Sequence, residues 1–253
     1  MKASIIQLAH DDAQTKNDRI KKVKEIIETL DSPDLIMLPE LWGVGFNSYD
    51  LYAQNSEDIY GETVSMLSDL AKNKNTYIFT GSFIEKRSNS MYNTAVLLDR
   101  KGQIASRYSK IHLFGDEGKY LLRGSDSAVC ETDFGIAGLS ICYDLRFPEL
   151  FRKLSKQGAE IMLSCYATHT SRKETWEILN KARAIENQAF FLTCGCAGVN
   201  CGVEYAGHSM AVSPKGEILN EAGALEEVLN VEFDVEDARK YRTEFPVLEH
   251  RVM

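Results

Sequence analysis

Three short segments place reactive side-chain types where an apolar run stops. In Leu35-Ile36-Met37-Leu38-Pro39-Glu40-Leu41-Trp42 a carboxylate follows directly on a continuous apolar stretch of strand length. Loss of water around such a group raises its pKa and makes it a usable general base; the plainer reading is a surface glutamate opening a loop. In Tyr108-Ser109-Lys110-Ile111-His112-Leu113-Phe114, the Lys110 ammonium could project into a pocket and stabilise an oxyanion, or lie solvated on a sheet edge. His112, between apolar neighbours, reads as structural. In the third segment, residues 138–150, Cys142 ends an apolar strand and Pro148 stands in the first turn of a helix. A strand-to-helix elbow of this kind exposes the sulfur, aims backbone N–H groups at it and lowers the thiol pKa; the alternative is a buried core cysteine. Thiol, carboxylate and ammonium together are the ingredients of nucleophilic acyl transfer.

These segments must be held by regular elements, and the chain alternates. Helical periodicity marks residues 17–30, 63–72, 148–157 and 173–187, while strand-like runs mark 4–9, 35–38, 77–84, 92–99, 103–108, 136–142, 160–166, 189–196, 208–213, 216–220 and 229–233. Asp99-Arg100-Lys101-Gly102 and Pro214-Lys215-Gly216 read as hairpin turns. Many strands against four or five helices predict an α/β fold, a four-layer α-β-β-α sandwich with two mixed sheets, rather than one doubly wound sheet. No repeat, linker or low-complexity tract divides residues 1–253, so one domain is expected.

Composition narrows the partners. With 29 Lys+Arg against 37 Asp+Glu the net charge is −8, and no cationic run forms a stripe, so nucleic acid is not expected. No stretch is long and apolar enough to span a membrane, and the first residues lack the form of a signal peptide, which predicts a cytoplasmic protein. Six cysteines in a chain of this length are too sparse for a disulfide framework.

Taken in register, these segments resemble the nitrilase superfamily of carbon–nitrogen hydrolases. The resemblance covers essentially the whole chain: the strand carrying Gln7, Leu-Pro-Glu at 38–40, Lys-Ile-His-Leu-Phe at 110–114, Cys-Tyr-Asp-Leu-Arg-Phe-Pro-Glu-Leu at 142–150, Arg-Ala-Ile-Glu-Asn-Gln at 183–188, and Gly207-His208-Ser209. It implies that Glu40, Lys110 and Cys142 form the family's catalytic triad, and that Glu117 is its second glutamate, with Asp116 as the neighbouring alternative. It further implies an oxyanion site shared by Lys110 and the backbone N–H of Tyr143, a thioester intermediate, and no metal or organic cofactor. The nearest branch is that of ω-amidases and Nit-type amidases, which hydrolyse the terminal amide of short dicarboxylic monoamides. Trp42, Phe46, Tyr49, Phe114, Tyr166, Thr168 and Trp176 flank the reactive segments and are candidate pocket walls, or core. The family also implies a homodimer or larger assembly, for which residues 173–187 and the apolar tail 241–253 are the expected contacts.

Other readings remain. A nitrilase proper, or an N-carbamoyl or aliphatic amidase, would use the same triad. Cys194, Cys196, Cys201 and His208 could be read as a metal site, but they lack the paired Cys-x₂-Cys knuckles of structural zinc. A non-catalytic interaction protein on the same scaffold would have no evident use for the Glu40–Lys110–Cys142 set.

Overall fold

The computed structural model describes residues 1–252; Met253, the end of the expected tail contact, lies outside the described residues. The elements run β1 (Lys2–His10), α1 (Lys16–Thr29), β2 (Leu35–Met37), α2 (Tyr52–Asn55), α3 (Glu62–Lys74), β3 (Tyr77–Arg87), β4 (Ser90–Leu98) and β5 (Ile104–Ser109). They continue with β6 (Ala128–Thr132), β7 (Gly135–Ile141), α4 (Pro148–Lys156), β8 (Ile161–Tyr166), α5 (Lys173–Asn187), β9 (Phe190–Asn200), β10 (Val203–Glu204), β11 (Met210–Val212), β12 (Ile218–Glu221), β13 (Glu227–Glu232) and α6 (Glu236–Glu244).

Two mixed sheets result. In the first, β13 lies antiparallel to β1, β1–β2–β3 are parallel, and β4 and β5 add antiparallel. In the second, β7–β8–β9 are parallel, with β6 antiparallel on one side and β11–β12 on the other. The sheets are stitched where the end of β1 leaves its first partners: Leu8, Ala9 and His10 pair with Cys196, Ala197 and Gly198 of β9.

Strand alternation builds the layers. Ile5, Met37, Phe79 and Leu97 point inward and share one buried cluster with Leu139, Ile141 and Leu163 of the facing sheet. Their sequence neighbours Ile6, Ile36, Ile78 and Val96 point outward, where Ile20, Val23 and Ile27 of α1 and Val64, Leu67 and Leu70 of α3 cover them. On the other side α4 and α5 cover the second sheet through Leu150, Phe151, Leu154, Trp176 and Ala184. Each such aliphatic or aromatic side chain contributes about 1.5–3 kcal/mol when fully buried. The fold is the expected α-β-β-α sandwich.

The boundaries differ in instructive places. β3 and β4 run three and two residues further than their apolar cores (77–84, 92–99) into a hairpin through Ser88, which adopts a left-handed φ of 53°. The strand β6 and the helix α6 were not expected. α6 carries one buried residue, Ala238, so it has no apolar stripe to read; it is held by Arg242, whose guanidinium donates to the carbonyls of Ala159, Asn187 and Gln188. Phe245, expected to dock on a partner, is 56% exposed, and its carbonyl accepts from Gln188 Nε2 of the same chain.

Candidate active site

Three of the singled-out residues come from strand ends and meet in the interior. Glu40 follows β2 by the Leu38-Pro39 step and is fully buried. The chain can turn there because Leu41 takes a φ of 46° and because Gly81 of β3 lies against the turn: a Cβ on Gly81 would stand 2.0 Å from the Pro39 carbonyl oxygen. Lys110 follows β5 and is fully buried as well. Its ammonium donates to Glu40 Oε1 at 2.8 Å and to Glu117 Oε2 at 2.7 Å. Glu117 stands on a short 3₁₀ turn, Gly115–Lys119, fully buried, its Oε2 also accepting from the Phe114 backbone N–H at 2.7 Å. Asp116 points out instead and pairs with Lys119 on the surface.

Cys142 ends β7 in a left-handed conformation, φ 48°, at the start of a 3₁₀ turn (Cys142–Arg146) that leads to Pro148 at the head of α4. A non-glycine residue held there stores strain of about 1–3 kcal/mol and is a mark of functional elbows. The elbow is braced by Asp144, fully buried, whose carboxylate accepts from the backbone N–H groups of Ile141 (3.0 Å) and His112 (3.1 Å) and from the Tyr108 hydroxyl (2.6 Å), and pairs with His112 Nδ1 (2.7 Å). One carboxylate therefore ties the lysine segment to the cysteine elbow, and His112, stacked on Phe147, has the structural place expected of it.

The sulfur is not exposed, contrary to the elbow expectation: Cys142 is 8% accessible. Glu40 and Lys110 are the charges that act on its thiol. Burial and then the Glu40 charge push the thiol pKa up, outweighing Lys110, so the expectation of a lowered pKa is corrected too. Burial likewise raises the Glu40 carboxyl above its ordinary range against the pull of Lys110. For Lys110 burial acts the other way, but Glu117 and Glu40 outweigh it and hold the ammonium charged. The resting site is thus a protonated thiol beside a carboxyl made more basic by burial, with a fixed cation across from it.

Asn93 of β4 is a member that the sequence did not disclose. Its Nδ2 donates to Glu40 Oε1 at 2.9 Å and Glu117 Oε1 at 3.2 Å, bridging the two carboxylates. The pairing of β4 with β3, where Asn93 lies opposite Ile84, and with β5, continued by Lys110 N–H to the Asn93 carbonyl (2.8 Å), sets it there. Glu40 Oε2 is fixed by the Ala167 N–H at 3.0 Å, just past β8.

Cys142 forms the floor of a cavity of about 230 Å³ whose walls include Phe46, Phe114, Tyr143, Thr168 and Trp176, with Arg146 and Arg172. Three expected walls lie elsewhere. Trp42 is in the outer core under α1 and α3, its indole N–H on the Thr80 carbonyl. Tyr166 is fully buried behind the cavity, against Trp176, with its hydroxyl on the Gly207 carbonyl. Tyr49 stacks on Tyr120 to one side. Each flanks a reactive segment in sequence without lining the cavity: Tyr166 ends β8, Trp42 lies in the turn after Glu40, and Tyr49 opens a short 3₁₀ helix. Cys194 and Cys196 are buried with their thiols on the backbone carbonyls of Ile6 and Glu40, Cys201 is exposed, and His208 pairs with Glu221; these four residues do not converge.

A profile of the carbon–nitrogen hydrolase family matches residues 2–243. A protein of Paenarthrobacter nicotinovorans named 2-oxoglutaramate amidase is 37% identical over 97% of this chain and 87% of its own. Another of that name from Bacillus subtilis is 36% identical over 92% and 91%. The crystal structure of Saccharomyces cerevisiae Nit3, described as a member of branch 10 of the nitrilase superfamily, superposes with a TM-score of 0.91 at 27% identity, covering 100% of this chain and 97% of that one.

Proposed function

Because this chain belongs to the carbon–nitrogen hydrolase family and is an amidase-type hydrolase of non-peptide carbon–nitrogen bonds, we propose that it cleaves the terminal amide of a small carboxylic monoamide, as an ω-amidase does, through a Cys142 thioester. The observation that carries this reading is the buried chain of Glu40, Lys110 and Glu117 placed directly against a thiol at the floor of a small cavity.

In this reading the Cys142 sulfur attacks the amide carbonyl carbon as its proton passes to Glu40. A thiol held neutral by burial is made nucleophilic only as it loses that proton, and a carboxylate of raised basicity takes it. The tetrahedral oxyanion is held by the Lys110 ammonium and the Tyr143 backbone N–H, in a buried site where fixed donors count most. The carbon–nitrogen bond breaks as Glu40 returns the proton to the leaving nitrogen, giving ammonia and a thioester. Water, deprotonated by Glu40, then adds to the thioester; the carbon–sulfur bond breaks and the acid and thiol are restored. Glu117 and Asn93 keep Lys110 and Glu40 in place through both halves.

We read residues 1–253 as one catalytic unit, since Glu40 and Lys110 come from the first sheet and Cys142 from the second. Six unpaired cysteines suit a reducing compartment, and we place the protein in the cytoplasm, as a homodimer. The test is ammonia release from ω-amides, α-keto ω-amides, N-carbamoyl compounds and nitriles, with Cys142→Ala as the blank. Release confined to monoamides and lost in the variant supports the reading; release only from nitriles or carbamoyl compounds overturns it.

A further inference from the structure

We propose that Phe46 is a positioning residue for Lys110: its ring face covers the side of the ammonium that the two glutamates leave open, and so keeps one N–H dry and free for the oxyanion. This rests on the amidase reading above and deepens it by saying how a buried cation is kept available. Lys110 is fully buried, and an ammonium has three N–H donors. Two are taken, by Glu40 Oε1 and Glu117 Oε2. Among the described residues no oxygen accepts the third. What lies beside the nitrogen instead is Phe46, with Nζ 5.1 Å from the ring centre.

The same ring lines the Cys142 cavity, so it stands where the cation borders the space for a substrate. A carbonyl or carboxylate in its place would hold the third N–H permanently, and the oxyanion would have to displace it. A ring face attracts a cation through its quadrupole yet offers no lone pair to compete. The N–H is then claimed only by an oxygen that develops charge, which lowers the barrier instead of tightening ground-state binding. The loop around the ring is built to hold it. Phe46 is 5% exposed although it stands in a turn. Gly45 precedes it with a φ of 93°, where a Cβ would stand 2.5 Å from His10 Cε1 and 2.8 Å from Asn200 Oδ1. Beyond it, the Asn47 N–H donates to Asn200 Oδ1 at 2.8 Å, and the Tyr52 hydroxyl donates to the Phe46 carbonyl at 2.6 Å. The Gly45 N–H donates to the Leu41 carbonyl at 2.7 Å, so the turn that carries Glu40 also fixes the cover over Lys110.

The test measures kcat and KM for ammonia release from the amide the wild type turns over fastest. Phe46→Leu keeps an apolar side chain and removes the ring face. It lowers kcat by about 3- to 30-fold, the range of a cation–π contact out of water, with KM little changed because the N–H is used only as charge develops. Phenylalanine fluorinated at one, two and then three ring positions keeps the shape while weakening the face, and log kcat falls stepwise along that series. Such a fall supports the proposal even if Phe46→Leu disturbs folding. Equal kcat across the fluorinated series, which is what packing alone would give, overturns it and leaves the amidase reading intact. If the wild type releases ammonia from no amide, the amidase reading has failed, and exchange of the Lys110 ammonium protons with water still decides the cover. That exchange is followed by NMR on the resonance that Lys110→Met lacks. Faster exchange in Phe46→Leu than in the wild type supports the cover; equal exchange overturns it.

Discussion

Replacing Lys110 by methionine tests whether the buried carboxylates depend on the cation between them. The side chains are similar in length, so packing is largely preserved, but the two short contacts to Glu40 and Glu117 disappear together. Removing one member of a buried ionic group costs about 3–5 kcal/mol because the remaining charges are left uncompensated, a large part of the about 5–15 kcal/mol that holds a domain folded. The cost has a pH signature. Glu40 already titrates above its ordinary 4.5 because of burial, with Lys110 opposing that rise; without Lys110 the folded-state value climbs further. A group whose folded pKa lies above its unfolded one stabilises fully below the unfolded value and loses that contribution as pH rises through the folded value. In the variant, stability should therefore fall with rising pH from about 4.5 upward. Its slope should approach about 1.36 kcal/mol per pH unit while the folded state binds one proton more than the unfolded. Urea unfolding of both proteins at a series of pH values from 5 to 8 measures the gap directly. The expected gap is widest at pH 8 and narrows toward pH 5. A gap of constant size, or one below about 1 kcal/mol at pH 8, would falsify the account of Lys110 as the charge that keeps both glutamates in place.

Two further substitutions probe the supports. Gly81→Ala places a methyl group against the Pro39 carbonyl at a φ of 65°; left-handed strain of about 1–2 kcal/mol plus a displaced Glu40 turn should lower the unfolding midpoint and cut ammonia release together. A variant as active and as stable as the wild type would show that the close approach is not needed. Asp144→Asn turns an acceptor of four donors into a group that must present an amide to one of them, which should cost about 1–3 kcal/mol and lower kcat more than it raises KM. Equal kcat in Asp144→Asn and wild type would mean that the brace behind the elbow serves stability alone.

What could be read in the chain were features written locally. Glu40, Lys110 and Cys142 each break an apolar run, and a break of that kind is visible without knowing what lies across from it. Glu117 was assigned by resemblance, and its side chain turns inward where that of Asp116 turns to solvent. Asn93 was illegible because its place depends on strand register between segments that carry no mark of it. Arg146 and Arg172 look, in sequence, like ordinary charges near helix starts; that both line the cavity follows from how distant elements meet, which a sequence does not display. Trp42, Tyr49 and Tyr166 failed for the reverse reason: adjacency along the chain is not adjacency in space, and the turn after Glu40, a 3₁₀ helix and the end of β8 carry these side chains off the cavity wall. The layers themselves were legible because their period-two pattern is the fold's own rule, whereas α6, with one buried residue, follows no such pattern.

The two sheets meet through the last residues of β1, and the candidate base and nucleophile stand on opposite sides of that seam. The spacing between them is then a gauge of how thick the apolar filling is. Protein interiors are packed about as tightly as organic crystals, at a density of about 0.74–0.76, and yield little to compression, so the gauge is stiff. Hydrostatic pressure, or a shortened side chain at Leu139 deep in the filling, would change the alignment of thiol and carboxylate without touching either. Drift in turnover among homologues that share every reactive residue would then be written in the upholstery between the sheets.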